Sequence, residues 1–147
     1  MDDLARVRLA KGPEPMWEVL LSLHKLRDRD GAFVFDEWRR RVRAHLPAKD
    51  SWLLRLAPPH GYSPDFLTPA AGGVDLDQAL ENVLVTPRRR LRADLGKLAI
   101  RQPLDGMALA VADGHAEALR QLGTTIRDYF RVGLAQYWQR ISAAIHA

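Results

Sequence analysis

The sequence predicts an all-α fold: a single domain of six or seven helices, with a long C-terminal helix and one long ordered loop rich in proline and glycine. Three observations predict it. Apolar residues recur in steps of three and four through most of the chain, which places them on single helix faces. Prolines fall between these periodic stretches or in their first turns, where a missing N–H costs nothing. Only one short segment, at Arg6, Val7, Arg8 and Leu9, alternates in the manner of a strand, and a lone strand has nothing to pair with. With 147 residues the chain is long enough for one sizeable core.

Residues 1–14 are expected to form an extended arm lying on the helices, ending at the breaker Gly12-Pro13-Glu14-Pro15. A helix follows over about Pro15 to Arg27. Trp17, Val19, Leu20, Leu21, Leu23 and Leu26 surround it almost completely, the pattern of a helix buried on more than one side. After a turn at 28–31, a second helix is expected from about Asp36, its N-cap, to Leu46. Phe35, Trp38, Val42 and Leu46 form its apolar face, and Arg39, Arg40, Arg41 and Arg43 spread over the others. Past Pro47, Asp50 reads as the cap of a short helix carrying Trp52, Leu53, Leu54 and Leu56.

Residues 57–73 hold four prolines, at 58, 59, 64 and 69, together with Tyr62, Phe66 and Leu67. A flexible linker would be polar, so the segment is expected to be an ordered loop whose aromatic residues dock on the core. Asp75 with Gln78 resembles a capping box for a helix with Leu76, Leu80, Val83 and Leu84 inside. Thr86-Pro87 reads as the N-cap and first position of the next helix, which has Leu91, Leu95 and Leu98 on its inner face. Arg88, Arg89, Arg90 and Arg92 crowd its first turns, against the helix dipole. They are candidates to meet a phosphate or an acidic partner, against the plainer reading of a solvated basic end. A short apolar helix over 104–112 leads to the long one.

That last helix is expected over 113–147, with Leu119, Leu122, Ile126, Phe130, Leu134, Tyr137, Ile141 and Ile145 on one face. At 1.5 Å per residue it would be roughly 45 Å long, longer than the domain is wide. Gly123 and Gly133 lower its intrinsic stability, and close approach of another helix is the usual compensation. Left bare, its later turns would expose more apolar surface than monomers normally do. Phe130, Leu134, Tyr137, Trp138 and Ile141 are therefore candidates for self-association as a homodimer. The alternative is that the first helix covers the same stripe within one chain.

The composition narrows the chemistry. There is no cysteine, hence no disulfide, thiol nucleophile or thiolate metal site. The five histidines show no zinc-helix spacing, and no nucleophile elbow, phosphate loop or dinucleotide fingerprint is present. His24 reads as a satisfied core histidine. His60 and Asp65 lack a nucleophile to serve. No enzyme activity and no cofactor are expected. No apolar run approaches the ~20 residues that span a bilayer, and the N-terminus lacks a signal-peptide pattern, so a cytoplasmic protein is expected. The net charge of +4 permits an acidic partner without requiring one. The one candidate helix-turn-helix, Ala118 to Phe130 about Gly123, keeps its apolar period through the glycine and reads better as one helix.

Two stretches together resemble a known family. The first is Pro15-Met16-Trp17-Glu18-Val19-Leu20-Leu21-Ser22-Leu23-His24, ahead of the Arg-Asp-Arg-Asp-Gly turn at 27–31. The second is Leu56-Ala57-Pro58-Pro59-His60-Gly61-Tyr62-Ser63-Pro64-Asp65-Phe66-Leu67-Thr68-Pro69. They are similar to the N-terminal domain of actinobacterial transcriptional regulators whose C-terminal part is an ArsR-like winged helix-turn-helix. Tyr137-Trp138-Gln139-Arg140-Ile141 looks like the helix leading to that part. The resemblance implies an effector-sensing or dimerising domain that reaches DNA only through a winged helix. No such segment follows within these residues, so a fragment or a natural short form is expected. Trp17, Trp38, Tyr62 and Phe66 are the candidate lining of a pocket for a small-molecule effector. The alternative is a stand-alone helical domain that binds another protein.

Overall fold

The computed structural model describes residues 14–27, 32–58, 62–69 and 75–138. Within them the protein is all-helical: six α-helices and two 3-10 helices around one apolar core. The expected arm lies outside the described residues, apart from Glu14.

Helix α1 spans Pro15–Arg27, the predicted bounds. Met16, Val19, Leu20, Leu23 and Leu26 are buried at helical spacing. The expectation of burial on more than one side needs correcting, because Trp17 and Leu21, one turn apart, are 44% and 52% exposed. Helix α2 spans Ala32–His45. It begins a turn before Asp36, whose carboxylate pairs with Arg39 at 3.1 Å instead of capping the first amides. Two arginines of α2 satisfy the end of α1. Arg39 Nε donates to Lys25 O at 2.7 Å and an Arg43 terminal nitrogen to Leu26 O at 2.8 Å. Cations on the last carbonyls of a helix complement its dipole. These arginines, which the sequence presented as a basic face, tie two helices together.

The segment Ala48–Leu56 is a 3-10 helix of nine residues. Its three-residue turn stacks Asp50, Leu53 and Leu56 on one face, and all three are buried. Asp50 is therefore not a cap. Its side chain points into the core and accepts a hydrogen bond from Thr125 at 3.0 Å. The loop that follows docks as expected over its described part. Asp65–Leu67 forms the second 3-10 helix, and Pro64, Phe66 and Leu67 are buried.

Helix α3, Leu76–Leu84, is capped by Asp75, which accepts from the Gln78 amide at 2.8 Å. Helix α4 is Arg88–Ala99, with Leu91, Leu95 and Leu98 buried. Thr86 does not cap it. Its hydroxyl donates back to Val83 O and closes α3 instead. Helix α5, Gly106–Ala112, is capped by Asp105.

Helix α6 runs over Ala116–Gly133 without a break at Gly123, so no helix-turn-helix forms there. At 18 residues it is about 27 Å long. The uninterrupted helix expected over 113–147 is corrected: a turn at Leu134 precedes a last helical turn at 135–138, and later residues lie outside the described set. It is nonetheless the spine, packing against α1, α2, α3, α5 and the first 3-10 helix. Both glycines meet neighbouring helices. A methyl group on Gly123 would stand 3.2 Å from Leu84 Cδ1, and one on Gly133 would stand 3.5 Å from Val42 Cγ2.

Candidate functional site

The expected binding residues sit in several different surroundings. Trp17 stands on the exposed side of α1. Trp38 lies between α2 and α6, its indole N–H donating to Gly133 O at 2.8 Å. Phe66 is buried, and its amide donates to the buried Asp94 carboxylate of α4 at 2.9 Å. Tyr62 is half-buried beside Lys97, whose ammonium lies 5.8 Å from the ring centre. Neither of the two cavities described below touches any of the four. Trp38 and Phe66 anchor two different joints, whereas Trp17 is largely exposed.

The basic cluster finds carboxylates within the chain. Arg92 and Arg88 both reach Asp113, at 3.1 and 4.0 Å, and Arg90 lies 4.0 Å from Asp94. Arg89 is exposed. The self-association stripe is partly withdrawn as well. Leu134 is 6% exposed, while Phe130, Tyr137 and Trp138 are half-buried, with the Phe130 and Trp138 rings edge to face at 5.5 Å. Ile141 lies outside the described residues. Among the described residues no group of three His, Asp or Glu side chains could hold a metal ion, and no helix is long and apolar enough to cross a membrane. His24 is satisfied by the Ser63 hydroxyl at 2.9 Å, and His60 lies outside the described residues.

What the fold does build is a groove of about 420 Å³ at the start of α6. Lys49 and Trp52 of the first 3-10 helix form one wall. Met107 and Ala110 of α5 form the other, and His115, Glu117, Ala118 and Gln121 bring the first turns of α6 between them. Ala110 and Ala118 present small side chains to the groove. The interior is apolar, with Trp52 and Ala118 buried, whereas Lys49, His115 and Glu117 hold the rim in water. The recess is open to solvent over much of its surface, so a small molecule seated in it would be only partly enclosed. Trp52 also lines a second cavity, of about 10 Å³, which is too small for a ligand.

No protein-family model matches the chain, and no curated protein or solved structure matches it either. The groove has to be read from its own chemistry. Its lining includes no serine, threonine or tyrosine hydroxyl. What it offers is shape, an indole wall, and a rim of mixed charge. Sequence reasoning missed it because its key residues are alanines, which carry no chemical signal. Trp52 and Met107 were legible only as core.

Proposed function

We propose that this chain is the effector-sensing or dimerising domain of a bacterial transcriptional regulator, and that the groove beside α6 receives the effector. The groove is the observation that carries the reading: a ligand-sized apolar recess built against the helix on which five other elements pack. The likeness of the Pro15–His24 and Leu56–Pro69 stretches to ArsR-like regulators supplies the regulatory context, and DNA would be read by a winged helix outside these residues. A ligand seated on Ala118 and Gln121 would bear directly on α6, and a long helix is a rigid means of passing a displacement to whatever is joined to it. Binding, not catalysis, is the activity, and it takes place in the cytoplasm, where DNA is reached.

The second reading, a helical module for binding another protein, is favoured by Trp17 and Leu21, two large apolar side chains exposed one turn apart on α1. One experiment separates the two. Methyl signals of Met107, Ala110 and Ala118 are followed by NMR while a small-molecule library is added, and hits are retested on Gln121→Trp, which fills the groove from its rim. Shifts at those methyls that Gln121→Trp abolishes support the effector groove. A library that leaves them unmoved, with partner-induced shifts at Leu21 instead, supports the second reading.

A further inference from the structure

The seam between the first 3-10 helix and α6 contains a carboxyl group with no charge partner of its own. Asp50 is fully buried. Its Oδ1 accepts from the hydroxyl of Thr125, itself fully buried, and its Oδ2 meets no hydrogen-bond donor among the described residues. Thr125 and Asp128 lie one turn apart on the same face of α6, so the second acidic side chain stands beside the first. Asp128 also reaches Lys49, the residue before Asp50, at 3.6 Å, so both carboxyls lie against the same short stretch of the seam. A hydrogen bond between them requires a proton on one, because two carboxylates are acceptors only.

We propose that Asp50 and Asp128 share a single proton across this seam, and that its removal loosens the join between the first 3-10 helix and α6. The surroundings decide which residue carries the proton. Asp128 is the more exposed, and it has both nearby cations: Lys49 at 3.6 Å and Arg131 at 3.3 Å. It therefore holds the negative charge. Asp50, in the dry interior with a hydroxyl for company, holds the proton. Burying an ionised carboxylate without a cation against it is among the costliest arrangements in a protein. The shifts agree in direction. Burial first, and then the hydrogen bond with Asp128, push the Asp50 carboxyl above the ordinary aspartate value of 3.8. The hydrogen bond from Asp50 first, then those from Arg131 and the charge of Lys49, hold Asp128 below it. The groups facing the pair are Thr125 and Arg131 from α6 and Lys49 from the 3-10 helix. Arg27 of α1 and Asp105 meet that 3-10 helix farther along, at Leu54 and Arg55.

The pH dependence follows with a definite sign. A carboxyl whose folded pKa is raised contributes stability that is complete below 3.8 and is lost as the pH climbs through the raised value. A lowered one contributes stability that is complete above 3.8 and is lost as the pH falls through the lowered value. The seam is thus tightest between the lowered value and the raised one and weakens as the pH climbs through the raised one, with two carboxylates then facing each other in the core. Lys49 belongs both to this ion pair and to the wall of the groove. The proton sharing itself does not depend on what the groove binds.

The test is a carboxyl-carbon NMR titration of the whole chain, with thermal unfolding from pH 3 to pH 9 for the wild type, Asp50→Asn and Asp128→Asn. Asparagine at 50 keeps an acceptor for Thr125 and gives Asp128 a permanent donor. The expected result is an Asp50 midpoint above 3.8 and, in Asp50→Asn, disappearance of the fall in stability that accompanies that midpoint. Each unit by which the Asp50 midpoint is raised corresponds to a tenfold change in the folding equilibrium across that range. Asp128→Asn should bring the Asp50 midpoint back toward 3.8. An Asp50 midpoint at or below 3.8 in the wild type overturns the proposal, as does an undiminished fall over the same pH range in Asp50→Asn. If either variant does not fold, the Asp50 midpoint of the wild type alone decides, above or below the ordinary value.

Discussion

Phe66→Ala tests whether the proline-rich loop is part of the core. Phe66 is 1% exposed, so the substitution removes nearly the whole ring from a dry site. Losing the burial of most of a phenylalanine side chain costs roughly 2 kcal/mol in transfer free energy. The hole left behind adds to this, since the surroundings close it only in part. Here they can close little. The Phe66 amide is fixed to the Asp94 carboxylate at 2.9 Å, and the backbone is held in a 3-10 turn by Leu67 N to Pro64 O and Thr68 N to Asp65 O. If about 50 Å³ stays open, the cavity adds about 1.2 kcal/mol. The total is roughly 3 kcal/mol, the low end of measured Phe→Ala losses. For a chain of this size that is a fall of roughly 10 °C in Tm. Thermal unfolding by circular dichroism reads it directly, with limited proteolysis of the folded wild type alongside. An unchanged Tm, or rapid cleavage between Ser63 and Thr68 in the native protein, would refute the reasoning, because both require a loop that is not docked.

The two glycines of α6 should behave differently. Gly133→Ala should leave stability unchanged or raise it by up to about 1 kcal/mol, because the added methyl meets only ordinary contacts, whereas Gly123→Ala should gain nothing, since Leu84 must first move; chemical denaturation measures both. Leu134→Arg should unfold the domain and not release a folded monomer, because Leu134 is covered within one chain; a folded, monomeric variant by light scattering would instead place Leu134 at an interface between copies. Duplex DNA should bind this domain weakly, without sequence preference and with an affinity that falls steeply with salt, and tight retention of one operator in gel shifts at physiological salt would contradict that.

Where the sequence carried a strong period, it read correctly. Pro15 with the apolar run to Leu26 marked both ends of α1, and Asp75 with Gln78 marked the start of α3. The aromatic content of the proline-rich loop foretold its docking, since Phe66 and Leu67 have no use in water. The failures share one cause. Asp36, Asp50 and Thr86 are residue types that cap helices, and each found a better partner than the nearest free amide: Arg39, Thr125 and Val83 O respectively. Local pattern cannot show a partner 75 residues away. The buried face of α6 was read only in part, with Leu122, Ile126 and Leu134 buried as expected, for a related reason. Thr125 and Tyr129 are fully buried although polar, while Phe130, the expected core residue, is half-buried. Tyr129 goes inside because Ser22 meets its hydroxyl at 2.7 Å, and burial then raises its pKa.

These polar partners also explain how so many elements agree on one position for α6. Apolar packing is strong but non-directional, and a helix can slide or turn along it at modest cost. Hydrogen bonds inside the core are directional, and leaving one unmade is expensive. Three of them join α6 to three different neighbours. Thr125 meets Asp50 of the first 3-10 helix, Tyr129 meets Ser22 of α1, and Gly133 O receives the Trp38 indole of α2. They fall at successive turns, so together they fix both the rotation and the axial position of the helix. None of them lies in its first turns. There His115 precedes the helix with no side-chain cap, and the first turns of α6 line the groove. On the proposed reading a ligand therefore acts at the end of α6 that these bonds do not hold. The proton shared by Asp50 and Asp128 sits at the first of the three, where the free end begins.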